Sequence, residues 1–285
     1  MKYIKKILKR IINLKPTKKV FVNVITLPAS EMLKGRCALI TGGTSGIGLS
    51  IAQAYVRAGA KVIITGRTQE RIDNALQLFP VGSAFGFVLD NTMVSNFEIT
   101  FGNILDVVHH AGIPCVDILV NNAGVNCTRM PNANEGEYDK VLDTNLKGVF
   151  FLSQMFGKYL VENHIKGNIL NIASASSLRP ADSAYTVAKW GLRGLTLGLA
   201  KALAKDGITV NGIAPGPTAT PMMKISVNDN MVHNNLPLGR YIMPEEISNM
   251  AVILVSDMGR SIMGDIIYMT GGAGILTYDD VPYGF

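Results

Sequence analysis

The segment Thr41-Gly42-Gly43-Thr44-Ser45-Gly46-Ile47-Gly48 follows an apolar run of strand length and leads into a segment of helical length. Glycine lets a backbone turn tightly and approach a bound phosphate, and the free N–H groups at the start of the next helix attract negative charge. A strand, a glycine-rich turn and a helix in this order are typical of dinucleotide-binding proteins. We therefore predict that this segment holds a pyrophosphate. The predicted contacts are Gly42, Thr44, Ser45, Gly46, Ile47 and Gly48.

From Arg36 onward, apolar segments of strand length alternate with amphipathic segments of helix length. This alternation predicts an α/β fold with a doubly wound parallel sheet (a Rossmann fold), formed by a single domain of about seven strands flanked by helices. The predicted strands are 37–41, 61–65, 84–89, 118–121, 168–172, 209–213 and 265–269. The predicted helices are 47–58, 69–78, 138–162, 184–204 and 244–256. Residues 35–285 are assigned to this domain and residues 1–34 to a basic extension.

The end of the second predicted strand, Ile64-Thr65-Gly66-Arg67, indicates which dinucleotide is bound. An acidic side chain here would bind the ribose 2′-hydroxyl of NAD, whereas a basic one would meet the 2′-phosphate of NADP. Position 66 is a glycine, and Arg67 carries a planar guanidinium that suits a phosphate. We predict NADP(H) in preference to NAD(H), with Arg67 on the 2′-phosphate. The alternative is that Arg67 only caps a solvent-facing loop.

Tyr185 and Lys189 are the pair best suited to acid–base chemistry. They stand four residues apart in a predicted helix, so their side chains project from one face. A phenol has a pKa of about 10, which makes it a poor proton donor or acceptor at neutral pH, and a nearby ammonium favours the phenolate. We predict that Tyr185 transfers the proton and that Lys189 lowers its pKa. The alternative is a packed tyrosine beside a solvent-facing lysine.

Five motifs in this order resemble those of the short-chain dehydrogenase/reductase family, over residues 36–272. They are Gly42-x-x-x-Gly46-x-Gly48, Asn121-Asn122-Ala123-Gly124, Asp143-Thr144-Asn145-Leu146-Lys147-Gly148, Tyr185-x-x-x-Lys189 and Pro215-Gly216. Any one of them is a weak signal, but five at compatible spacing argue against coincidence. The resemblance implies hydride transfer between a nicotinamide cofactor and an alcohol or carbonyl compound. It also implies a homo-oligomer, either a dimer or a tetramer.

The resemblance further implies individual roles. Asn145 would hold a water that links Lys189 to solvent, and Lys189 would also bind the nicotinamide ribose. Asp90 matches the position that contacts the adenine, and Asn122 and Ala123 would line a ribose. The remaining implied cofactor contacts are Gly124, Tyr185, Lys189, Pro215, Gly216, Thr218 and Thr220.

The resemblance also implies a serine that hydrogen-bonds the substrate oxygen. Ser174 matches that position, just after the strand predicted at 168–172, and would polarise a carbonyl. Eleven residues separate Ser174 from Tyr185, two fewer than is usual in the family. Ser176 and Ser177 lie close enough to compete for the role, so the assignment between Ser174 and Ser176 stays open.

The positive charge of the chain is concentrated at its start. Residues 1–20 contain eight lysine or arginine residues and no acid, whereas the net charge of the whole chain is +6, so the rest is close to neutral. The domain therefore gives no reason to expect a nucleic acid as a partner. Apolar residues recur in the tail at helical spacing, which predicts an amphipathic helix suited to peripheral contact with an anionic membrane. A solvated arm, or a helix docked on another subunit, is the alternative.

Cys37, Cys115 and Cys127 match neither a disulfide framework nor a zinc site, so we predict no metal and a cytoplasmic protein. The function predicted is an NADP(H)-dependent oxidoreductase that interconverts an alcohol and a carbonyl small molecule. A 3-oxoacyl thioester and a sugar or polyol both stay open as substrates, because substrate contacts in this fold come from variable loops such as 221–238. The alternative from another class is a non-catalytic NADP(H)-binding sensor or scaffold tethered by the tail.

Overall fold

One parallel sheet organises the chain, in a computed structural model that describes residues 29–225 and 230–282. Neighbouring strands are parallel and follow the order β3-β2-β1-β4-β5-β6-β7. The strands are β1 Cys37–Ile40, β2 Lys61–Gly66, β3 Ala84–Val88, β4 Ile118–Asn121, β5 Asn168–Ile172, β6 Thr209–Pro215 and β7 Ile266–Met269. The predicted doubly wound α/β sheet is confirmed.

Helices cover both faces of the sheet. They are α1 Gly46–Arg57, α2 Gln69–Leu76, α3 Phe97–His110, α4 Glu135–Leu142, α5 Gly148–Glu162, α6 Ala184–Leu203 and α7 Pro244–Val255. The sequence interpretation did not include α3, whose β-branched residues and Gly102 are weak helix formers. Its buried residues Phe97, Phe101, Ile104 and Val108 nevertheless follow helical spacing, and their packing on the sheet overrides the local preference.

The helix predicted over 138–162 is interrupted. α4 begins three residues earlier, where the side chain of Asn134 accepts a hydrogen bond of 2.9 Å from the Glu137 amide. A π-helical segment, Asp143–Lys147, then joins α4 to α5. α5 starts at Gly148, where a Cβ atom would lie 2.2 Å from the carbonyl oxygen of Asn91. A side chain at this position would therefore push the chain after β3 away from the helix.

The core lies in two layers, one on each side of the sheet. One layer contains Tyr55 and Ile247, where α1 packs against α7, and the other contains Phe101 and Phe156 from α3 and α5. Leu33, within the predicted extension, is fully buried in the first layer and its amide donates to the carbonyl of Ala58. The amphipathic helix predicted in residues 1–20 lies outside the described residues. In the part of the chain that the structure describes, no helix is long and apolar enough to cross a membrane.

The strand order reverses between β1 and β4. The loops that follow these two strands therefore leave the sheet in opposite directions and open a crevice at the carboxyl ends of the strands. The glycine-rich turn follows β1, and the Asn-Asn-Ala-Gly segment follows β4. The sheet thus brings two separate sequence motifs to the same edge.

Candidate active site

A cavity of about 780 Å³ occupies this crevice, and the predicted site residues divide between its two ends. After their predicted roles, we call the part formed by the glycine-rich turn, Arg67 and Asp90 the cofactor end, and the part formed by Ser174, Tyr185 and Lys189 the catalytic end. The predicted residues on its wall are Gly42, Thr44, Ser45, Gly46, Ile47, Arg67, Asp90, Asn122, Ala123, Gly124, Ser174, Tyr185, Lys189, Pro215, Gly216, Thr218 and Thr220. Gly48 and Asn145 lie behind the wall. The fold therefore brings segments from six strand ends into one crevice.

The glycine-rich turn is shaped by close backbone contacts. Gly42 has φ +63°, and a Cβ atom there would lie 3.0 Å from Cα of Ala123. A Cβ atom on Gly48 would lie 2.4 Å from the Gly42 carbonyl oxygen and 2.3 Å from Nδ2 of Asn122. Gly48 therefore acts from beneath the turn, by letting α1 approach it closely.

Asn122 braces the same turn. Its side-chain amide donates to the carbonyl oxygens of Thr41 and Gly42 at 2.9 and 3.0 Å. The hydroxyl of Thr41 in turn accepts from the backbone amides of Asn122 and Ala123. The sequence signal suggested only a ribose contact for Asn122, whereas the structure adds a bracing role. These bonds hold the glycine-rich turn above the start of α1. Among the described residues, the first helical turn of α1 contains no acidic side chain. The cradle suits a pyrophosphate.

The edge of the cofactor end beyond β2 carries two cations. Arg67 and Arg71 both lie on the cavity wall, and both side chains are exposed. Arg71 was not predicted because it lies within α2, beyond the strand end that carries Arg67. A Cβ atom on Gly66 would lie 2.8 Å from Cγ2 of Thr44, so an acidic side chain has no room here unless Thr44 moves.

Asp90 follows β3 on the same wall. Its Oδ1 atom accepts hydrogen bonds from the amide and the hydroxyl of Thr92, at 2.9 and 2.8 Å. These bonds hold the carboxylate in a tight turn at the cavity edge. The adjacent Asn91 is buried, and its Nδ2 atom has no partner within the described ranges.

Tyr185 and Lys189 project from the first turns of α6. Ser183 caps this helix by accepting from the amide of Thr186. Lys189 donates from Nζ to the carbonyl oxygen of Ile172 at 2.7 Å, and this nitrogen lies 5.6 Å from the centre of the Tyr185 ring. The lysine is therefore fixed between the end of β5 and the tyrosine, which excludes a solvent-facing position.

Burial dominates the titration of both groups. It lowers the pKa of Lys189 to about 8, because the ammonium loses water. Burial also raises the pKa of Tyr185 above its usual value, and a side-chain hydrogen bond with Ser174 opposes this shift. The pKa of Tyr185 is therefore raised overall in this structure, although the ammonium of Lys189 lies beside the phenol ring. Desolvation of the phenol outweighs any effect of the ammonium, which is itself costly to bury.

The three serines after β5 have different surroundings. Ser174 and Ser176 lie on the cavity wall, and Ser174 Oγ accepts from the Ser176 amide at 3.1 Å. Ser177 is fully buried and donates to the carbonyl of Ser174 at 2.8 Å. Ser177 therefore supports the turn, and Ser174 is the serine whose side chain reaches Tyr185.

Asn145 lies in the π-helical segment and is fully buried. Its side chain makes two bonds of 2.9 Å to the backbone of Val125, accepting from the amide and donating to the carbonyl oxygen. These bonds tie α4 and α5 to the loop after β4. Segments with π-helical turns occur often at functional sites.

The loop after β6 closes the remaining side. A Cβ atom on Gly216 would lie 2.4 Å from the carbonyl oxygen of Thr270, and Thr218 donates to the carbonyl of Gly216 at 2.9 Å. The sequence interpretation missed several other residues of the wall. Among them are Arg129, Arg179, Asp280, Val281 and Pro282. No local pattern marks the last three, which come from the far end of the chain.

Comparisons with known proteins agree over nearly the whole domain. Residues 36–230 match the model of the short chain dehydrogenase family. The chain is 35% identical over 255 residues to a 3alpha-hydroxysteroid dehydrogenase of Mediterraneibacter gnavus, covering 85% of this chain and 98% of that protein. It is 32% identical over 250 residues to a 3-oxoacyl-(acyl-carrier-protein) reductase of Rickettsia felis, covering 84% and 97%. A solved actinorhodin polyketide ketoreductase variant with NADPH is similar at 30% identity and a TM-score of 0.75, covering 84% of this chain and 97% of that chain.

Proposed function

The chain belongs to the short-chain dehydrogenase family, and we propose that it is an NADP(H)-dependent ketone reductase or secondary-alcohol dehydrogenase. The similar proteins named above are a dehydrogenase of a hydroxysteroid and a reductase of a 3-oxoacyl group, so they act on an alcohol and on a carbonyl. One observation carries the proposal. Ser174, Tyr185 and Lys189 line one end of the same cavity whose other end is the glycine-rich turn.

The proposed chemistry assigns each side chain a step. The nicotinamide, when bound, supplies or accepts the hydride. Ser174 donates from Oγ to the substrate oxygen and polarises the carbonyl during reduction. Tyr185 donates its phenolic proton to the same oxygen, and in the oxidative direction it takes that proton back. Lys189, held by the carbonyl of Ile172, would position the ribose and stabilise the phenolate left by Tyr185.

Three features support NADP(H) over NAD(H). Arg67 and Arg71 place two guanidinium groups at the edge where a 2′-phosphate would lie. Thr44 fills the space beside Gly66 in which an acidic side chain would need to stand. The similar ketoreductase was solved with NADPH.

The decisive experiment follows nicotinamide absorbance with NADPH or NADH against a panel of ketones, 3-oxoacyl thioesters and keto sugars. We expect NADPH oxidation with at least one class of carbonyl, and its loss in Tyr185→Phe. Binding of NADPH without turnover of any compound would instead favour the sensor or scaffold.

The cofactor preference has its own test. Arg67→Ala should raise the KM for NADP(H) by roughly 10- to 100-fold and leave the KM for NAD(H) unchanged, because only NADP(H) loses a charge-assisted hydrogen bond. Arg57→Ala is the matched control, since Arg57 is exposed at the end of α1 and outside the cavity wall. An unchanged ratio of the two KM values in Arg67→Ala would reject the assignment.

A further inference from the structure

The end of the described chain returns to the catalytic end of the cavity. We define residues 278–282 as the C-terminal strap. Within it, Asp280 accepts a hydrogen bond of 2.5 Å from Nη2 of Arg179, which lies between Ser174 and Tyr185 in the sequence. The side chains of Arg179 and Asp280 are 6% and 0% exposed. The strap is therefore joined to the loop of the catalytic serine by a buried ion pair.

The turn that leads into the strap also packs tightly on this loop. Gly274 has φ +70°, and a Cβ atom there would lie 3.1 Å from the carbonyl oxygen of Ala175. On the other side of the loop, Trp190 donates from its indole nitrogen to the carbonyl oxygen of Arg179 at 2.7 Å. The backbone of Arg179 is thus held by α6 while its side chain holds the strap.

The polar groups near the strap pair with one another. Arg179 is paired with Asp280, and Arg129 on the same cavity wall is paired with Asp182 at 2.9 Å, so each of these guanidinium groups has a carboxylate partner. Oδ1 of Asp280 and Nε of Arg179 have no partner among the described residues, but both atoms are shielded from solvent. A substrate hydroxyl therefore meets no free charged group from these pairs.

The strap itself presents Val281 and Pro282 to the cavity. Neither side chain donates or accepts a hydrogen bond, and Pro282 also lacks an N–H group. An apolar substrate group would be favoured against this wall because it leaves water, whereas a hydroxyl would lose its hydrogen bonds to water without replacement.

We propose that the C-terminal strap determines substrate specificity. Asp280, anchored by Arg179, is a positioning residue that sets Val281 and Pro282 as the wall against which the non-reacting part of the substrate packs. The preferred substrate is then a ketone or secondary alcohol with an apolar substituent, and a polyhydroxylated sugar is disfavoured. The reaction assumed here, reduction of a ketone or oxidation of a secondary alcohol, rests on the proposed function. The packing of the strap on the loop after β5 does not depend on it.

The test uses the full chain with Asp280→Asn. Loss of the charge from a buried pair should loosen the strap and raise the KM for ketones with apolar substituents by roughly tenfold or more, with kcat and the Kd for NADPH little changed. The preference for apolar ketones over polyhydroxylated sugars should also weaken. Asp257→Asn is the matched control, because it breaks an exposed pair with Arg260 away from the cavity and should change nothing.

A second variant covers the case in which Asp280→Asn does not fold. A chain ending at Thr277 lacks the strap and should show the same loss of preference for apolar substituents. In either variant, unchanged KM values and an unchanged order of substrates would overturn the proposal. A uniform fall in kcat with a lower melting temperature and no change in that order would also overturn it, since that result reports stability alone.

Binding separates this proposal from the proposed function. Trp190 is the single tryptophan of the chain and bonds to Arg179, so its emission can follow binding of the same ketones in the presence of NADPH. If wild type turns over no ketone, the proposed function fails. Weaker ketone binding in Asp280→Asn would still support the strap, and equal or undetectable binding in both proteins would overturn it.

Discussion

The two ends of the cavity are built by different means. The cofactor end is formed largely by backbone from neighbouring residues, and its shape depends on the absence of side chains at Gly42 and Gly48. The catalytic end is formed by side chains from segments that are far apart in the chain, and Lys189 there is buried with its charge. The cofactor end should therefore be sensitive to added volume, and the catalytic end to changes in protons and charge.

The largest effect is expected at the catalytic end. Tyr185→Phe removes the phenolic hydroxyl and keeps the ring, so kcat should fall by about 10²- to 10⁴-fold, the range usual for loss of a positioned acid or base. The Kd for NADPH should stay within a few-fold of wild type, because the cofactor end is untouched. Steady-state rates and a fluorescence titration measure the two quantities. A variant that keeps more than a tenth of the activity would show that another group transfers the proton.

The next effect concerns added volume at the cofactor end. Gly48→Ala places a methyl group against the Gly42 carbonyl and the Asn122 amide, both under 2.5 Å away. Overpacking of this kind typically costs about 1–3 kcal/mol, so the Kd for NADPH should rise roughly tenfold or more while bound enzyme keeps its kcat.

The matched control for this change is Gly102→Ala. Gly102 is exposed on α3, and a Cβ atom there meets nothing within 4 Å in the described structure. This variant should bind NADPH normally and should be more stable by about 0.5–1 kcal/mol, because alanine favours a helix. Equal NADPH affinity in both variants would contradict the account of the glycine-rich turn.

The smallest expected effect is on the pH dependence of kcat/KM. Burial lowers the pKa of Lys189 to about 8 and raises that of Tyr185, so the lysine loses its proton first as the pH rises. The ammonium is present below that pKa and absent above it, and kcat/KM for reduction should therefore fall as the pH passes about 8. The side chain in Lys189→Arg stays positively charged throughout this pH range, so the fall in kcat/KM should move to higher pH. If the fall stays in place, the titrating group is not Lys189.

Local sequence signals predicted the elements whose residues are contiguous. The glycine-rich turn and the Tyr185/Lys189 pair each lie within a few residues, so one window of sequence contains the whole pattern. α3 escaped prediction because its helical form depends on burial of Phe101 and Ile104 rather than on local preference. The π-helical segment around Asn145 escaped because it depends on bonds to Val125, twenty residues away.

The sequence by itself determined the fold class, the glycine-rich turn and the spacing of Tyr185 and Lys189, since each follows from short-range geometry along the chain. Tertiary structure alone decided that burial sets the pKa values of this pair, because desolvation depends on which segments pack over it. It alone also joined Asp280 to Arg179. That contact spans 101 residues, and only the completed sheet brings its two ends together.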